Sequence, residues 1–218
     1  MAEKIVEKNH SFIKEACVET CEEAVAAQDR GADRIELCSR LDLDGLTPKR
    51  RVIEEILVSL SIPVKVMIRP RGGNFVYSEN ELVAMEEEID VCRSIGVQEV
   101  VFGLLTAKGS VDLDSSARLA KRASPMAITF HKAIDATINI MDELQRLHSV
   151  PQIFSILTSG GENTALDGSK KIREMIQRFS SRFNIIAAGS ITEENFQTVY
   201  SRIGCKEYHG RKIVGKLI

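Results

Sequence analysis

The sequence predicts an α/β fold in which strands and helices alternate about eight times and close into a (β/α)8-type barrel, a single domain over residues 1–218. Short strand-like runs recur along the chain, and amphipathic segments with the period of an α-helix lie between them. No G-x-G-x-x-G motif follows the first strand, so a doubly wound open sheet has less support as the alternative.

Each element follows from a local pattern. The predicted strands are 14–19, 33–38, 63–69, 99–105, 126–132, 152–159, 184–188 and 207–210. Apolar side chains share one helical face in segments 52–60, 82–92, 172–179 and 196–203. Helix starts are predicted by capping boxes at Thr20/Glu23 and Ser78/Glu81, and by the pair Thr47-Pro48. Left-handed residues are expected just past three helices, at Gly31, Gly96 and Gly204.

Charge and composition exclude several classes of partner. Lys plus Arg number 29 and Asp plus Glu 31, a formal net charge of −2, so we expect neither nucleic acid nor an anionic membrane as partner. The N-terminal segment lacks a signal-peptide pattern and no apolar run is long enough to cross a membrane, so we expect a cytoplasmic protein. The 5 cysteines are then expected as free thiols or metal ligands rather than disulfides.

Polar side chains occupy one face of several predicted strands, although strands covered by helices usually read as apolar runs. Because side chains alternate along a strand, the apolar set should face the helices and the other set the barrel axis. The axis-facing sets are Glu15, Cys17 and Glu19; Arg34, Glu36 and Cys38; Lys65, Met67 and Arg69; Thr129 and His131; and Glu207 with His209. Buried charges are costly unless paired, so acidic and basic members should neutralise one another.

These axis residues have two interpretations. They either form an ion-pair network that only fills the barrel, or they gather at the carboxyl ends of the strands, where barrel active sites lie. We favour a site. His131 ends the fifth strand four residues before Asp135, and a histidine near a carboxylate can act as a general base or a ligand. Glu36 is the second candidate for proton transfer.

The loops after the strands suggest an anion-binding site. Arg69 and Arg71 stand beside two glycines, and paired guanidiniums suit a carboxylate or a phosphate, although a turn whose arginines serve the glutamates fits equally. Ser159 and Gly160 follow the sixth strand, where small residues leave backbone N–H groups free for an anion or simply form a turn. Glu19, at the end of the first strand, is a further ligand-binding candidate.

Cys17 and Cys38 lie on adjacent predicted strands, each on the axis-facing side. Two thiolates suit a soft ion such as Cu(I), which accepts low coordination, and would make a poor structural zinc site. The alternative is that both are buried free cysteines, which are common in protein cores.

These segments resemble the CutC family of copper homeostasis proteins. The matching stretches cover residues 15–210 in family order: EACVET, GADRIELCSRL, GLTP, VMIRPRGGNFVYS, VVFGLLTAKGSVD, ITFHKAID, ILTSGGENTALDG and EYHG. The resemblance implies a TIM-like barrel. It also implies Cys17 and Cys38 as the copper-binding candidates, because they lie in EAC and ELC. The axis residues Glu36, Arg69, Arg71 and His131 also fall within family motifs.

The sequence departs from the family pattern at two places. AAGSI at 187–191 replaces the usual glycine-rich PGGGI, which weakens the argument for a phosphate site there. After EYHG the chain is shorter than the family pattern, which implies a last helix that is short or missing. The outer face of the last strand would then be exposed or covered by a partner subunit, so a homo-oligomer, a dimer or higher, is expected.

Two functions follow as hypotheses. In the first, the protein serves copper homeostasis and binds Cu(I) through Cys17 and Cys38. In the alternative, it is a TIM-barrel enzyme acting on a small anionic metabolite that carries a phosphate or a carboxylate. Arg69 and Arg71 would then bind the anion. Whether the protein is an enzyme stays open at this stage.

Overall fold

Eight parallel strands form a closed barrel in the computed structural model, which describes residues 12–217. The strands are β1 Ile13–Val18, β2 Arg34–Leu37, β3 Val64–Met67, β4 Glu99–Phe102, β5 Ala127–Phe130, β6 Ile153–Thr158, β7 Asn184–Ala187 and β8 Glu207–Gly210. Each strand pairs with the next along the chain, and β8 closes on β1. The predicted barrel is confirmed. Most strands end one to three residues earlier than the sequence pattern predicts, although Cys38 and His131, just past β2 and β5, still donate to carbonyl oxygens of the neighbouring strands at 2.9 and 3.0 Å.

Helices connect the strands and surround the barrel. They are α1 Cys21–Asp29, α2 Arg50–Ser59, α3 Glu79–Ser94, α4 Leu113–Ala123, α5 Ile140–Leu147, α6 Ser169–Phe179 and α7 Phe196–Ile203. Short 3₁₀ turns occupy Leu41–Leu43 and Lys132–Ala136, in the loops after β2 and β5. Within residues 12–217 no helix follows β8, in line with the expected short or missing last helix. The N-terminal residues 1–11, which lack a signal-peptide pattern, lie outside the described residues.

The helix caps agree with the sequence in part. Ser78 and Glu81 form the predicted capping box of α3. Thr20 caps α1 by accepting a hydrogen bond from the Glu23 N–H at 3.2 Å, but the Glu23 carboxylate accepts from the Glu19 N–H instead of closing the box. All three predicted left-handed glycines have positive φ: 95° at Gly31, 86° at Gly96 and 67° at Gly204.

The predicted start of α2 at Thr47-Pro48 is wrong. The helix begins at Arg50, after Lys49. The Thr47 hydroxyl instead accepts a hydrogen bond from the Arg69 N–H at 2.8 Å, just past the end of β3. This bond ties the loop after β2 to the loop after β3, so a residue that reads as a helix cap helps to build the rim of the barrel.

The outer face of β8 is covered by the chain itself. Tyr208 is fully buried, and its ring contacts those of Phe12, Phe196 and Tyr200 at centroid distances of 6.4, 5.2 and 6.0 Å. The expectation that this face is exposed or covered by a partner subunit is therefore wrong at Tyr208. A homo-oligomer stays a prediction, without this argument in its favour.

The two faces of the strands divide as the alternation predicts. Apolar side chains such as Ile35, Val66 and Phe130 belong to the large cluster between strands and helices. On the axis near the carboxyl ends, a small separate cluster contains Cys17 and Cys38, with Met67 and Val101. Among the described residues, no helix combines the length and the apolar character needed to span a bilayer.

Paired charges fill the axis below this small cluster. The Lys65 ammonium lies 2.8 Å from a Glu99 carboxylate oxygen and 3.2 Å from a Glu15 oxygen. Arg34 bridges Glu15 and Glu207 with two further ion pairs. Opposite charges therefore neutralise one another in the buried part of the barrel, as the cost of an unpaired buried charge requires.

Candidate functional site

A cavity of about 540 Å³ opens at the carboxyl ends of the strands. The residues of its wall that matter here are Cys17, Glu36, Cys38, Arg69, His131 and His209. This volume lies within the range of small-molecule sites, about 300–1,000 Å³. The cavity is therefore much larger than one metal ion requires, and its position is the one that active sites take in barrels of this kind.

The two candidate copper ligands lie side by side on the cavity wall. Cys17 pairs in register with Glu36 across β1 and β2, and Cys38 is two residues beyond Glu36, on the same face. The sulfur atoms of Cys17 and Cys38 are 3.9 Å apart, and the Cys38 sulfur lies 3.6 Å from Glu36 Oε2. One atom from each of the three residues lies within 4.8 Å of the other two, a spacing that can surround a metal ion.

His209 completes this cluster, and sequence reasoning did not select it as a site residue. Its Nδ1 lies 2.9 Å from Glu15 Oε1, and its Nε2 lies 3.7 Å from Glu36 Oε2. The signal was present in the alternation along β8, because His209 faces the axis and pairs in register with Glu15. Glu15, Glu36 and His209 form a second group of potential ligand atoms.

Burial and mutual contact shift the ionisation of this cluster. Burial raises the pKa of Glu36 to about 8, against the attraction of His209. A hydrogen bond from Cys38 lowers the pKa of Cys17 to about 5, and His209 adds to that shift. The same hydrogen bond raises the pKa of Cys38 well above that of an ordinary thiol. Burial disfavours charge on His209, but Glu36 and Cys17 outweigh it and hold the pKa of His209 well above its ordinary value.

Arg69 lines the cavity, but most of its donors hold loops. Its Nη1 donates to the carbonyl oxygens of Leu43, Asp44 and Gly45 at 3.0–3.1 Å, and its Nη2 donates to Gly73 at 3.0 Å. These bonds fasten the loops after β2 and β3 to each other. The guanidinium therefore does not present a free pair of donors to an anion.

Arg71 lies outside the cavity wall. Its guanidinium forms an ion pair with Glu81 and donates to the carbonyl oxygens of Asn74 and Val76. The structure thus gives the two arginines separate positions, although the sequence places them two residues apart.

The small residues after β6 bind a carboxylate of the chain itself. Asp135 accepts hydrogen bonds from the N–H groups of Ser159 and Gly161 at 2.8 and 2.9 Å, and from the Thr158 hydroxyl. The Gly160 N–H donates to the Thr158 hydroxyl at 2.8 Å. The backbone donors that suggested an anion site are therefore occupied. Asp135 accepts hydrogen bonds from this loop and is not the partner of His131 that the sequence suggested.

One ring nitrogen of His131, Nε2, has no hydrogen-bond partner among the described residues. Its Nδ1 accepts from the Ala133 N–H at 3.1 Å, so the proton of the neutral ring is on Nε2. That Nε2 is buried and has no hydrogen-bond partner among residues 12–217. Gly103 leaves room for the ring, because a Cβ at Gly103 would lie 2.5 Å from Nδ1. The Phe75 ring packs against the imidazole at 5.0 Å.

We expect His131 to make the folded state sensitive to acid. Burial, aided by the charge of Arg69, lowers the pKa of His131 to about 3, whereas an unfolded histidine titrates near about 6.5. As the pH falls below ~6.5, the histidine of the unfolded chain takes up a proton that the folded chain does not bind. The stability due to the neutral ring is therefore complete above pH ~6.5 and declines as the pH falls towards 3. Between pH ~7 and ~5 the wild type should lose about 2 kcal/mol more than His131→Gln.

Urea unfolding of both proteins at the two pH values measures this difference. Other titrating groups are common to both and cancel in the comparison. Equal losses in the wild type and His131→Gln would show that the buried ring is not kept neutral by folding.

The cavity brings together six of the sequence-predicted site residues: Cys17, Cys38, Glu36, Arg69, His131 and Ser159. Glu19, Arg71 and Gly160 do not line it. The Glu19 carboxylate accepts from the Leu41 N–H at 3.0 Å and lies 3.5 Å from Arg211, at the rim.

A closed parallel barrel with two adjacent thiols, a carboxyl and an imidazole in its carboxyl-end cavity defines a barrel protein with a candidate soft-metal site. The sequence matches the model of the CutC family over residues 12–214. The chain belongs to the CutC family, as its motifs predict.

Individual relatives agree with this assignment. The human protein named copper homeostasis protein cutC homolog is 38% identical over 200 residues, which cover 92% of this chain and 73% of that protein. The CutC family protein of Aliivibrio fischeri is 39% identical over 197 residues, 89% of this chain and 79% of the relative.

Solved structures support the fold. The crystal structure of a CutC protein from Streptococcus agalactiae has a TM-score of 0.88 and 31% identity, and the match covers 93% of this chain and 99% of that one. Dihydrodipicolinate synthase DapA-2 from Bacillus anthracis, with a TM-score of 0.62 and 15% identity, shows likeness of fold alone.

Proposed function

We propose that this protein takes part in copper homeostasis and binds Cu(I) through the thiolates of Cys17 and Cys38. The observation that carries the proposal is the 3.9 Å separation of the two sulfur atoms on the wall of an open cavity. Relatives that are 38% identical to this chain over 200 aligned residues are named copper homeostasis proteins. Their names suggest copper as the metal, and the adjacent thiols of this chain support Cu(I) binding at the cavity wall.

The chemistry of the cluster favours a soft, singly charged ion. Thiolates are the protein ligands that Cu(I) prefers, whereas carboxylates suit harder cations. Two thiolates and one Cu(I) carry a net negative charge, and His209, whose pKa Glu36 and Cys17 hold well above its ordinary value, would supply a compensating positive charge. Glu36 is then a neighbour of the site, positioned to take up or release a proton when the thiols exchange protons for metal.

Copper K-edge absorption spectroscopy on the full chain tests this proposal. We expect one Cu(I) per chain after anaerobic titration, with two sulfur neighbours in the first coordination shell. Binding only through nitrogen or oxygen atoms, or no retention of one equivalent, would reject the two-cysteine site.

A cytoplasmic location and a homo-oligomeric state complete the proposal. Free thiols that bind metal persist in a reducing compartment, which the cytoplasm provides. Closed homo-oligomers are common among soluble proteins, most often as two-fold dimers. Light scattering of the purified chain measures the oligomeric state directly.

A second candidate function uses the same cavity for catalysis on a small anionic metabolite. The cavity volume of about 540 Å³ favours this candidate because one metal ion would fill little of the cavity. Glu36 and His131 would face such a substrate from two sides of the wall. A thermal-shift screen with small carboxylates and phosphate esters tests the candidate, and a screen without a single binder would reject it.

A further inference from the structure

His131, a residue of the cavity wall, has a buried hydrogen-bond donor with no acceptor among the described residues. His131 is a wall residue, 4% exposed, and its ring is fixed by the Ala133 N–H on one side and by Phe75 on another. The protonated Nε2 has no acceptor among the described residues. A buried donor without an acceptor lowers stability, so this position favours a ligand atom that accepts a hydrogen bond and has no hydrogen of its own. A carbonyl oxygen meets that description.

A cation without an ion pair stands beside this donor. Lys132 follows His131 in the chain, is exposed and lines the cavity, and it forms no ion pair within residues 12–217. The other basic residues of the wall have partners: Arg69 donates to loop carbonyls, Arg211 lies within 4 Å of Glu19 and Glu23, and His209 lies 2.9 Å from Glu15. A carboxylate at the mouth would therefore find its free partner in Lys132.

The rest of the wall argues against a phosphate ester. Asp44, Asp135 and Glu162 place carboxylates around the cavity, which disfavours a ligand with two negative charges. The backbone N–H groups after β6 are already bound to Asp135. Leu41 and Leu157, together with the Met67 and Phe75 side chains, offer apolar surface to a short aliphatic chain.

We propose that the cavity binds a small oxo carboxylic acid. Its carbonyl oxygen accepts a hydrogen bond from His131 Nε2–H, and its single carboxylate lies at the Lys132 ammonium. A neutral imidazole donor of this kind polarises a carbonyl group. The inference names the ligand class of the second candidate function and rests on it, and it does not depend on copper binding at Cys17 and Cys38.

Isothermal titration calorimetry on the full chain, free of metal, tests this inference. The probe is 2-oxobutyrate. 2-Hydroxybutyrate, which has a hydroxyl in place of the carbonyl and the same carbon chain, is the matched compound, and inorganic phosphate is the other anion. We expect a Kd for 2-oxobutyrate of about 1 mM or lower, and at least about threefold weaker binding of 2-hydroxybutyrate.

Two variants at one position isolate the donor. His131→Gln and His131→Phe both lose the ring nitrogen that accepts from Ala133, but only glutamine retains an N–H donor. We expect His131→Phe to bind 2-oxobutyrate about tenfold more weakly than the wild type, and His131→Gln to stay within about threefold. Lys132→Gln should weaken binding about threefold or more. Because Lys132 is exposed, this variant should fold, and it tests the site even if a His131 variant does not fold.

Each outcome decides between the proposals. Absence of 2-oxobutyrate binding to the wild type, or equal binding by the wild type and Lys132→Gln, overturns the oxo-acid site. Equal binding by the wild type and His131→Phe also overturns it. Phosphate binding without 2-oxobutyrate binding overturns this ligand class but leaves the second candidate function standing. If neither the probes nor the wider screen of metabolites gives a binder, that function fails as well.

Discussion

Replacement of both Cys17 and Cys38 by serine is expected to weaken Cu(I) binding more than about 100-fold. Serine has nearly the shape of cysteine, but its hydroxyl is a hard oxygen ligand that stays protonated, whereas Cu(I) prefers thiolate sulfur. Changes to groups that only orient metal ligands cost about 10–100-fold in affinity, so loss of both ligands should exceed that range. Anaerobic competition with a Cu(I) chelator of known affinity measures the difference.

Cys21 offers a matched control within the same chain. It lies at the start of α1, half-buried, with its sulfur 3.6 Å from the Ser59 hydroxyl and away from the cavity. Cys21→Ser should therefore bind Cu(I) within about threefold of the parent, since a threefold change corresponds to only about 0.7 kcal/mol. The two-cysteine site is wrong if the double variant binds as tightly as the Cys21 control.

The cysteine pair could be predicted from the sequence because its placement depends on two local rules. Alternation along a strand puts Cys17 and Glu36 on the axis-facing side of their strands, and successive strands of such a barrel are neighbours. Cys38, two residues after Glu36, is predicted on the same axis-facing side because side chains alternate with a period of two. No knowledge of the loops is needed, and the 3.9 Å between the sulfurs agrees with this placement.

The roles of the loop residues could not be predicted in the same way. Arg69 reads as an anion ligand, yet its guanidinium binds carbonyl oxygens of residues 43–45, more than twenty positions earlier in the chain. Asp135 reads as a partner of His131, yet it reaches across to the loop after β6. Such partners depend on how irregular segments fold over one another, and periodicity carries no information about that.

The part played by His209 depends on closure of the barrel. Its contact with Glu15 joins β8 to β1 across nearly the whole chain. Parity alone predicts that His209 faces the axis, but the register of the last strand against the first decides which axis residue it meets. That register comes from the sum of all eight pairings, so no single motif reveals it.

Lys65→Met is expected to lower the free energy of unfolding by about 3–5 kcal/mol. The ammonium is 1% exposed and lies between Glu15 and Glu99, with a hydrogen bond to the Thr129 hydroxyl at 2.8 Å. Methionine has a similar volume, so the main cost arises from Glu99, which loses its ion-pair partner, and from Glu15, which loses one of its partners, rather than from a new void. Urea unfolding at neutral pH gives the value.

An exposed lysine provides the comparison. Lys171 on α6 forms an ion pair with Glu174 at 3.2 Å, and both side chains are about two-fifths exposed. Lys171→Met should cost less than about 1 kcal/mol, because solvent screens the charges in both states. A second variant, Lys65→Met with Glu99→Gln, should recover at least about 1 kcal/mol of the loss, since it removes the charge of Glu99, which pairs with Lys65, whereas Glu15 keeps Arg34 and His209.

These outcomes also bear on how the cavity is built. If Lys65→Met costs no more than Lys171→Met, the axis charges do not stabilise one another, and the position of His209 would have to depend on other contacts. If the loss is large and Glu99→Gln relieves it, the Lys65 ion pairs stabilise the axis, and Lys65 also contacts Glu15, which in turn contacts His209. The electrostatic contacts of the barrel axis then help to hold the floor of the cavity, on which the thiol pair lies, in its folded arrangement.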